Sequence, residues 1–173
     1  GDSSLVMLVN QFLEHSAERS PHKVALVQGD RRLTYQQIEE QADRVANGLL
    51  DLGVGRGDRV AIWLHNSVET VVSLFAILKA GGTFTVINPT TKCDKLAYIL
   101  NNCAVTALFA SARQEGQISD LFKDVPPLRF AVLSGKSVAD PSSSDRRLHR
   151  FRQLLEQYPA NRPPCPSVDV DLA

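Results

Sequence analysis

The chain has no excess of charge of either sign: 19 Lys and Arg balance 19 Asp and Glu, for a formal net charge of zero. That balance argues against a broad nucleic-acid footprint, which draws on surplus cations. No apolar run approaches the ~20 residues that cross a bilayer. No basic-then-apolar leader opens the sequence, so nothing directs secretion, and the cytoplasm is the expected location. Cysteine is scarce. Cys93, Cys103 and Cys165 form an odd, widely spaced set, neither a disulfide framework nor a zinc pattern, and are expected to be free thiols. His15, His22, His65 and His149 show no pairing with Cys or Ser that would make a triad or a metal site.

What is present is an ordinary globular composition, 43% apolar over 173 residues. A chain near this size fits one domain that buries roughly 70% of its unfolded surface. Residues 1–6 stand before Met7 and are either an added leader or the end of a longer upstream chain; both readings stay open. Over 7–19 a helical stripe carries Val9, Phe12, Leu13 and Ala17. Residues 24–28 and 31–34 flank Gly29-Asp30 as two strands of a hairpin. Thr34 with Gln37 makes a capping box for the next helix, whose apolar face is Ile38, Ala42, Val45, Ala46, Leu49 and Leu50. Gly53 stops that helix and Val54 offers the usual apolar contact.

Strand and helix then alternate. Residues 59–64, 83–87, 105–110 and 129–133 read as strands. Ser67 caps a helix with Val71, Val72, Phe75 and Leu78 inward and Gly81 as its stop. Thr91 and Asp94 open another helix with Leu96, Ile99 and Leu100 buried, and Ile118, Leu121 and Phe122 mark a short one. Alternation at this spacing implies βαβ crossovers. The expected fold is therefore α/β: a mainly parallel sheet of about four central strands, helices on both faces, and the hairpin before it. Val60, Ile62, Val86, Val105, Leu108 and Val132 are its expected core residues. Residues 134–145, with Pro141 and three serines, read as a mobile loop; 146–157 as a last amphipathic helix; 159–166 as a Pro-rich connector. The division is 1–157 for the α/β part and 158–173 for the connector and the start of a further strand.

Two glycine motifs imitate phosphate loops. Gly53-Val-Gly55-Arg-Gly57 follows a helix and precedes a strand, the reverse of the dinucleotide order, and reads as a helix stop plus a turn. Gly135-Lys136-Ser137 has Phe130 where a P-loop needs its first glycine, so a surface loop is expected. Arg146, Arg147, Arg150 and Arg152 are a basic cluster that reads as a solvated helix face rather than a phosphate contact. At the carboxyl ends of the strands, where open α/β sheets bind ligands, stand His65, Asn66, Asn88 and Ser111. They are candidates for substrate contact, weighed against a plain role of Asn66 and Asn88 in turns and caps. No residue is assigned a catalytic, cofactor-binding or metal-binding role.

The wording of the sequence goes further. Leu33-Thr34-Tyr35, then Gly57-Asp58-Arg59-Val60-Ala61, Asn66-Ser67-Val68-Glu69, Leu78-Lys79-Ala80-Gly81-Gly82, Val86-Ile87-Asn88-Pro89 and Leu96-Ala97-Tyr98-Ile99-Leu100 together resemble the adenylate-forming superfamily. That superfamily holds acyl-CoA synthetases, luciferases and the adenylation domains of peptide synthetases. The resemblance implies an N-terminal part of an enzyme that uses ATP and magnesium to convert a carboxylic acid to an acyl-adenylate, then passes it to CoA or a pantetheine thiol. Its partners would be the acid, the rest of the adenylating domain, a mobile C-terminal domain and, for one branch, a carrier protein. Asn88-Pro89 leans toward acyl-CoA synthetases over amino-acid-activating domains. Asp171-Leu172-Ala173 resembles the start of the strand leading into the family's phosphate loop, so residues 1–173 alone are expected to be inactive, to bind ATP weakly and to self-associate. The rival from another class is a non-catalytic interaction module on the same scaffold.

Overall fold

The computed structural model describes residues 3–136 and 145–164, residues 3–10 as backbone only. The expected serine-rich loop falls largely, and Val9, Ser137, Cys165 and Asp171-Leu172-Ala173 wholly, outside what is described at side-chain level. Helix α1 (Ser3–Arg19) leads into an antiparallel hairpin, β1 (Val24–Gln28) and β2 (Arg31–Thr34). Gly29 takes φ +57° at the turn, a value that glycine adopts without a Cβ clash. Leu13 of α1 is buried, but Phe12 is 59% exposed, so the expected stripe is narrower than its apolar residues suggest.

Helix α2 (Tyr35–Asp51) begins at the anticipated capping box: Thr34 Oγ1 accepts from Gln37 N–H at 3.2 Å and Gln37 Oε1 from Thr34 N–H at 2.9 Å. Each bond satisfies a donor that the first helical turn leaves free. The helix stops in a Schellman motif, with Gly53 N–H on Leu50 O, Val54 N–H on Leu49 O and Gly53 at φ +97°. Chain reversal there starts β3 (Arg59–Trp63). The same device ends α3 (Val68–Lys79): Gly81 N–H meets Leu78 O and Gly82 N–H meets Ile77 O, and β4 (Thr83–Val86) follows. Helix α4 (Cys93–Asn102), β5 (Ala107–Ser111), a 3-10 turn (Ala112–Gln114), α5 (Glu115–Asp124) and β6 (Phe130–Ser134) complete the alternation.

Apart from the hairpin, the strands form one parallel sheet in the order β4-β3-β5-β6-β7, where β7 is Leu148–Arg150. That fifth strand corrects the reading of 146–157 as a single helix. Only Phe151–Gln157 (α6) is helical, and Leu148 and His149 pair with β6 instead. Inward positions alternate along each strand with period two. Val60, Ile62, Phe109 and Val132 face one core with α2, α3 and α6, while Ala61, Trp63, Leu108 and Leu133 face the other with α4 and α5. Each fully buried aliphatic or Phe side chain contributes ~1.5–3 kcal/mol of transfer free energy.

Three further expectations are corrected. Val86 is 56% exposed rather than buried, because β4 is the edge strand. On α3 the buried positions are Val68, Val72, Ser73, Ala76, Ile77 and Lys79, whereas Val71, Phe75 and Leu78 are only partly covered. The α4 N-cap is Lys92, with no side-chain capping bond, in place of Thr91 or Asp94. Among the described residues no helix is long and apolar enough to cross a membrane.

Candidate functional site at the carboxyl edge of the sheet

Strand β3 lies between β4 and β5, so the chain leaves β3 toward one side of the sheet and later returns on its other side. The helix after β3 packs on one face and the helix after β5 on the other. Loops that part in this way open a crevice at the carboxyl ends of the strands, the usual ligand position in open α/β sheets. A cleft of about 550 Å³ occupies that place, lined by Trp63, Pro89, Thr90, Thr91, Lys92, Cys93, Gln114, Gln117 and Asp120.

The four sequence candidates surround this edge without lining the cleft. Asn88 Oδ1 accepts from Thr90 N–H at 3.0 Å and Thr90 Oγ1 at 2.8 Å, which holds the turn into α4. Ser111 Oγ accepts from Arg113 N–H at 3.3 Å and caps the 3-10 turn. His65 is exposed, and its carbonyl accepts from Thr70 Oγ1 at 2.7 Å. Asn66 borders a separate hollow of about 250 Å³ between the hairpin and α3. The lining residues that sequence reasoning passed over, Trp63, Gln114 and Gln117, carry no motif of their own. Their shared feature is position at the carboxyl end of β3 or just after β5, which requires the strand order to be known.

The cleft is built for contact rather than covalent chemistry. Cys93 Sγ donates to Gln117 Oε1 at 3.0 Å. Burial, with Asp94 and Asp120 nearby, pushes its thiol pKa up, so the nucleophilic thiolate is disfavoured. The Trp63 indole N–H is buried without a protein partner. Among the described residues no group of three or more His, Cys, Asp or Glu is placed to hold a metal ion.

The glycine turn at 53–57 is no anion nest. Gly53 N–H goes to Leu50 O, Gly57 N–H to Gly81 O at 2.9 Å, and Gly55 N–H to Asp58 Oδ2 at 2.7 Å. Asp58 in turn pairs with Arg129 at 2.8 Å. A phosphate cradle needs converging amides left open to the ligand, and these three are committed to the fold. The turn at 53–57 therefore does not fit a nucleotide's phosphates. Three of the four clustered arginines are likewise occupied: Arg147 pairs with Asp145 at 2.7 Å and stacks over Phe122, Arg150 pairs with Glu115 at 2.7 Å, and Arg152 with Glu156 at 3.0 Å.

Residues 13–167 match a family described as AMP-binding enzyme. A medium/long-chain-fatty-acid–CoA/3-oxocholest-4-en-26-oate–CoA ligase of Mycobacterium marinum is 31% identical over 83% of this chain and 26% of its own length. Malpinin synthetase of Mortierella alpina is 35% identical over 80% of this chain and 2% of its own. Among solved structures, the anthranilate CoA ligase AuaEII in complex with anthranoyl-AMP superposes with TM-score 0.78 at 27% identity, over 88% of this chain and 28% of that one. The chain thus spans about a quarter of the length of the ligases it matches.

Proposed function

Since this chain belongs to the AMP-binding enzyme family, we propose that it is the front part of a ligase that activates a carboxylic acid with ATP and hands the acyl group to a thiol. A carboxylate oxygen attacks the α-phosphorus, the α–β phosphoanhydride bond breaks, and pyrophosphate leaves. A thiol sulfur then takes the acyl carbon and AMP departs. The observation that carries this reading is the family match across 13–167, joined to relatives named as CoA ligases for fatty and aromatic acids. Magnesium would accompany ATP. The residues described here supply scaffold and the edge cleft, with His65, Asn66, Asn88 and Ser111 as candidates around it. The phosphate cradle and the catalytic groups belong to the rest of the adenylating domain and a mobile C-terminal domain. The cytoplasm, where ATP and CoA are abundant, is the proposed location.

CoA is the favoured acceptor, on Asn88-Pro89 and on the CoA-ligase relatives. The likeness to malpinin synthetase supports a second reading, an amino-acid-activating domain that loads a carrier-protein pantetheine. Pyrophosphate exchange by the full-length protein over fatty, aryl and amino acids tests both. Exchange with fatty or aryl acids supports the first and exchange with amino acids the second; no exchange with any acid overturns acid activation. Residues 1–173 alone are expected to show no exchange.

A further inference from the structure

One face of α2 is a seat for the segment that follows α6. Arg44, Asn47, Gly48 and Asp51 recur at the i, i+3, i+4 and i+7 spacing that places residues on one helix side. Arg44 Nη1 donates to Tyr158 O at 2.7 Å and approaches Leu155 O at 3.5 Å. Asn47 Nδ2 donates to Pro159 O at 2.9 Å and Asn161 O at 2.8 Å. The Tyr158 hydroxyl donates to Asp51 Oδ2 at 2.5 Å, and that bond pushes the phenol pKa up to about 12. Gly48 leaves room for the approach, since a Cβ there would stand 3.0 Å from Leu154 Cδ2 and 3.2 Å from the Tyr158 ring. Pro159, Pro163 and Pro164 have no N–H, so this segment is rich in acceptors, and the seat answers with side-chain donors.

The far end of the segment reaches a charge cluster. Arg162 Nη2 lies 3.5 Å from Glu18 Oε1 and its Nε 3.9 Å from Glu14 Oε1, both on α1. Glu14 also meets Lys79 Nζ of α3 at 3.3 Å, as do Glu39 at 2.8 Å and Asp43 at 3.1 Å from α2. Three carboxylates thus surround one buried ammonium, whose side chain is 1% exposed. Lys79 compensates one of those charges, and Arg162 is placed to offset another.

We propose that residues 158–162 form a strap held in two halves: a hydrogen-bonded half at Tyr158, seated on Arg44 and Asp51, and an ion-paired half at Arg162 that acid releases. Protonating Glu39 or Asp43 removes one of the negative charges that favour Arg162 beside its partners Glu14 and Glu18, and by reciprocity a docked Arg162 favours the ionised cluster. Burial raises both carboxylate pKa values, so protonation begins above the ordinary carboxylate range. Release runs from the Arg162 end inward: the Asn47–Asn161 bond opens while Arg44 and Asp51 keep Tyr158 seated.

The Asn47 side-chain amide reports the strap directly in the nitrogen-15 NMR spectrum of the 173-residue chain. As pH falls from 8 through the carboxylate range its signals should move from a hydrogen-bonded toward a free position, while the buried Val60 and Phe109 signals stay in place. Arg162→Gln should raise the released population at pH 8 at least threefold and flatten the titration, and Arg162→Lys should restore part of it. Glu39→Gln, which imitates the protonated cluster, should release the strap at pH 8 with Arg162 intact. The proposal is overturned if Asn47 ignores both Arg162→Gln and Glu39→Gln, or if Arg162→Gln titrates with the unsubstituted amplitude. Arg162 is about half exposed, so its substitution leaves the core untouched.

Discussion

Lys79 is the residue whose setting departs furthest from its type. Lysine is almost never fully buried unless paired, and here its ammonium is enclosed by Glu14, Glu39 and Asp43. Pairing with Glu39 and Asp43 outweighs burial and raises the Lys79 pKa. For the two carboxylates burial outweighs Lys79 and raises theirs as well. A group whose folded value is raised contributes stability below its unfolded value and loses that contribution as pH rises through the folded one. Glu39 and Asp43 therefore oppose folding increasingly as pH climbs past the carboxylate range toward neutrality. Lys79 supports folding up to about its ordinary 10.5, and its support is lost above that. Removing the cation strands the carboxylates, so Lys79→Ala should cost about 3–5 kcal/mol at pH 7. Urea unfolding should also show this loss shrinking as pH falls through the carboxylate range and the carboxylates protonate. A pH-independent loss would mean that packing, not charge, dominates the site. The sequence shows Lys79 only as part of a Leu-Lys-Ala-Gly helix end; its burial follows from three carboxylates brought together from two other helices.

At the scale of elements, three helices end in the same way, each feeding a strand. Two stops, at Gly53 and Gly81, are legible because glycine marks the positive φ they need. The third is not: Ala104 takes φ +49° after α4, with Ala104 N–H on Asn101 O and Val105 N–H on Leu100 O. An L-residue in that region costs roughly 1–2 kcal/mol. Ala104→Gly should therefore stabilise by about 1 kcal/mol, read as a higher urea midpoint at unchanged slope. Two helical glycines should respond in opposite directions to alanine. Gly116 meets nothing within 4 Å, so Gly116→Ala should gain about 0.5 kcal/mol of helix propensity. Gly48→Ala must push Leu154 and Tyr158 off α2, and a loss of about 1–3 kcal/mol is expected in the same assay. Equal gains at both positions would show that the α2–α6 contact gives way easily. The elements that sequence reading placed well, α2 and the central strands, have long periodic patterns or dense apolar runs. Strand β7 has neither. Its Leu-His-Arg is three residues long, partly buried and continuous with a helical pattern, and only its neighbour β6 makes it a strand.

For the whole molecule, the arrangement of strands decides both the cleft and the exposed surface, and strand order is what local patterns carry least. Trp63 and Gln117 are fifty-four positions apart in the chain and share a cleft because β5 docks beside β3 rather than beyond β4. The same order puts β4 at the edge. A single sequence marks Val86 as apolar in an apolar strand, hence core; the sheet leaves it 56% exposed, with Tyr98 of α4 70% exposed. An edge strand also presents a row of unpaired N–H and C=O groups, a template for pairing with another chain. Thr83, Phe84, Thr85 and Val86 include no charge or proline to discourage this. Residues 1–173 should accordingly self-associate at micromolar to millimolar concentration, visible as a concentration-dependent sedimentation coefficient. Val86→Lys places a charge on the edge and should shift the chain toward monomer without lowering its stability by more than about 0.5 kcal/mol, as expected of an exposed position. A concentration-independent monomer before substitution would overturn the prediction, and association unchanged by Val86→Lys would move the contact away from β4.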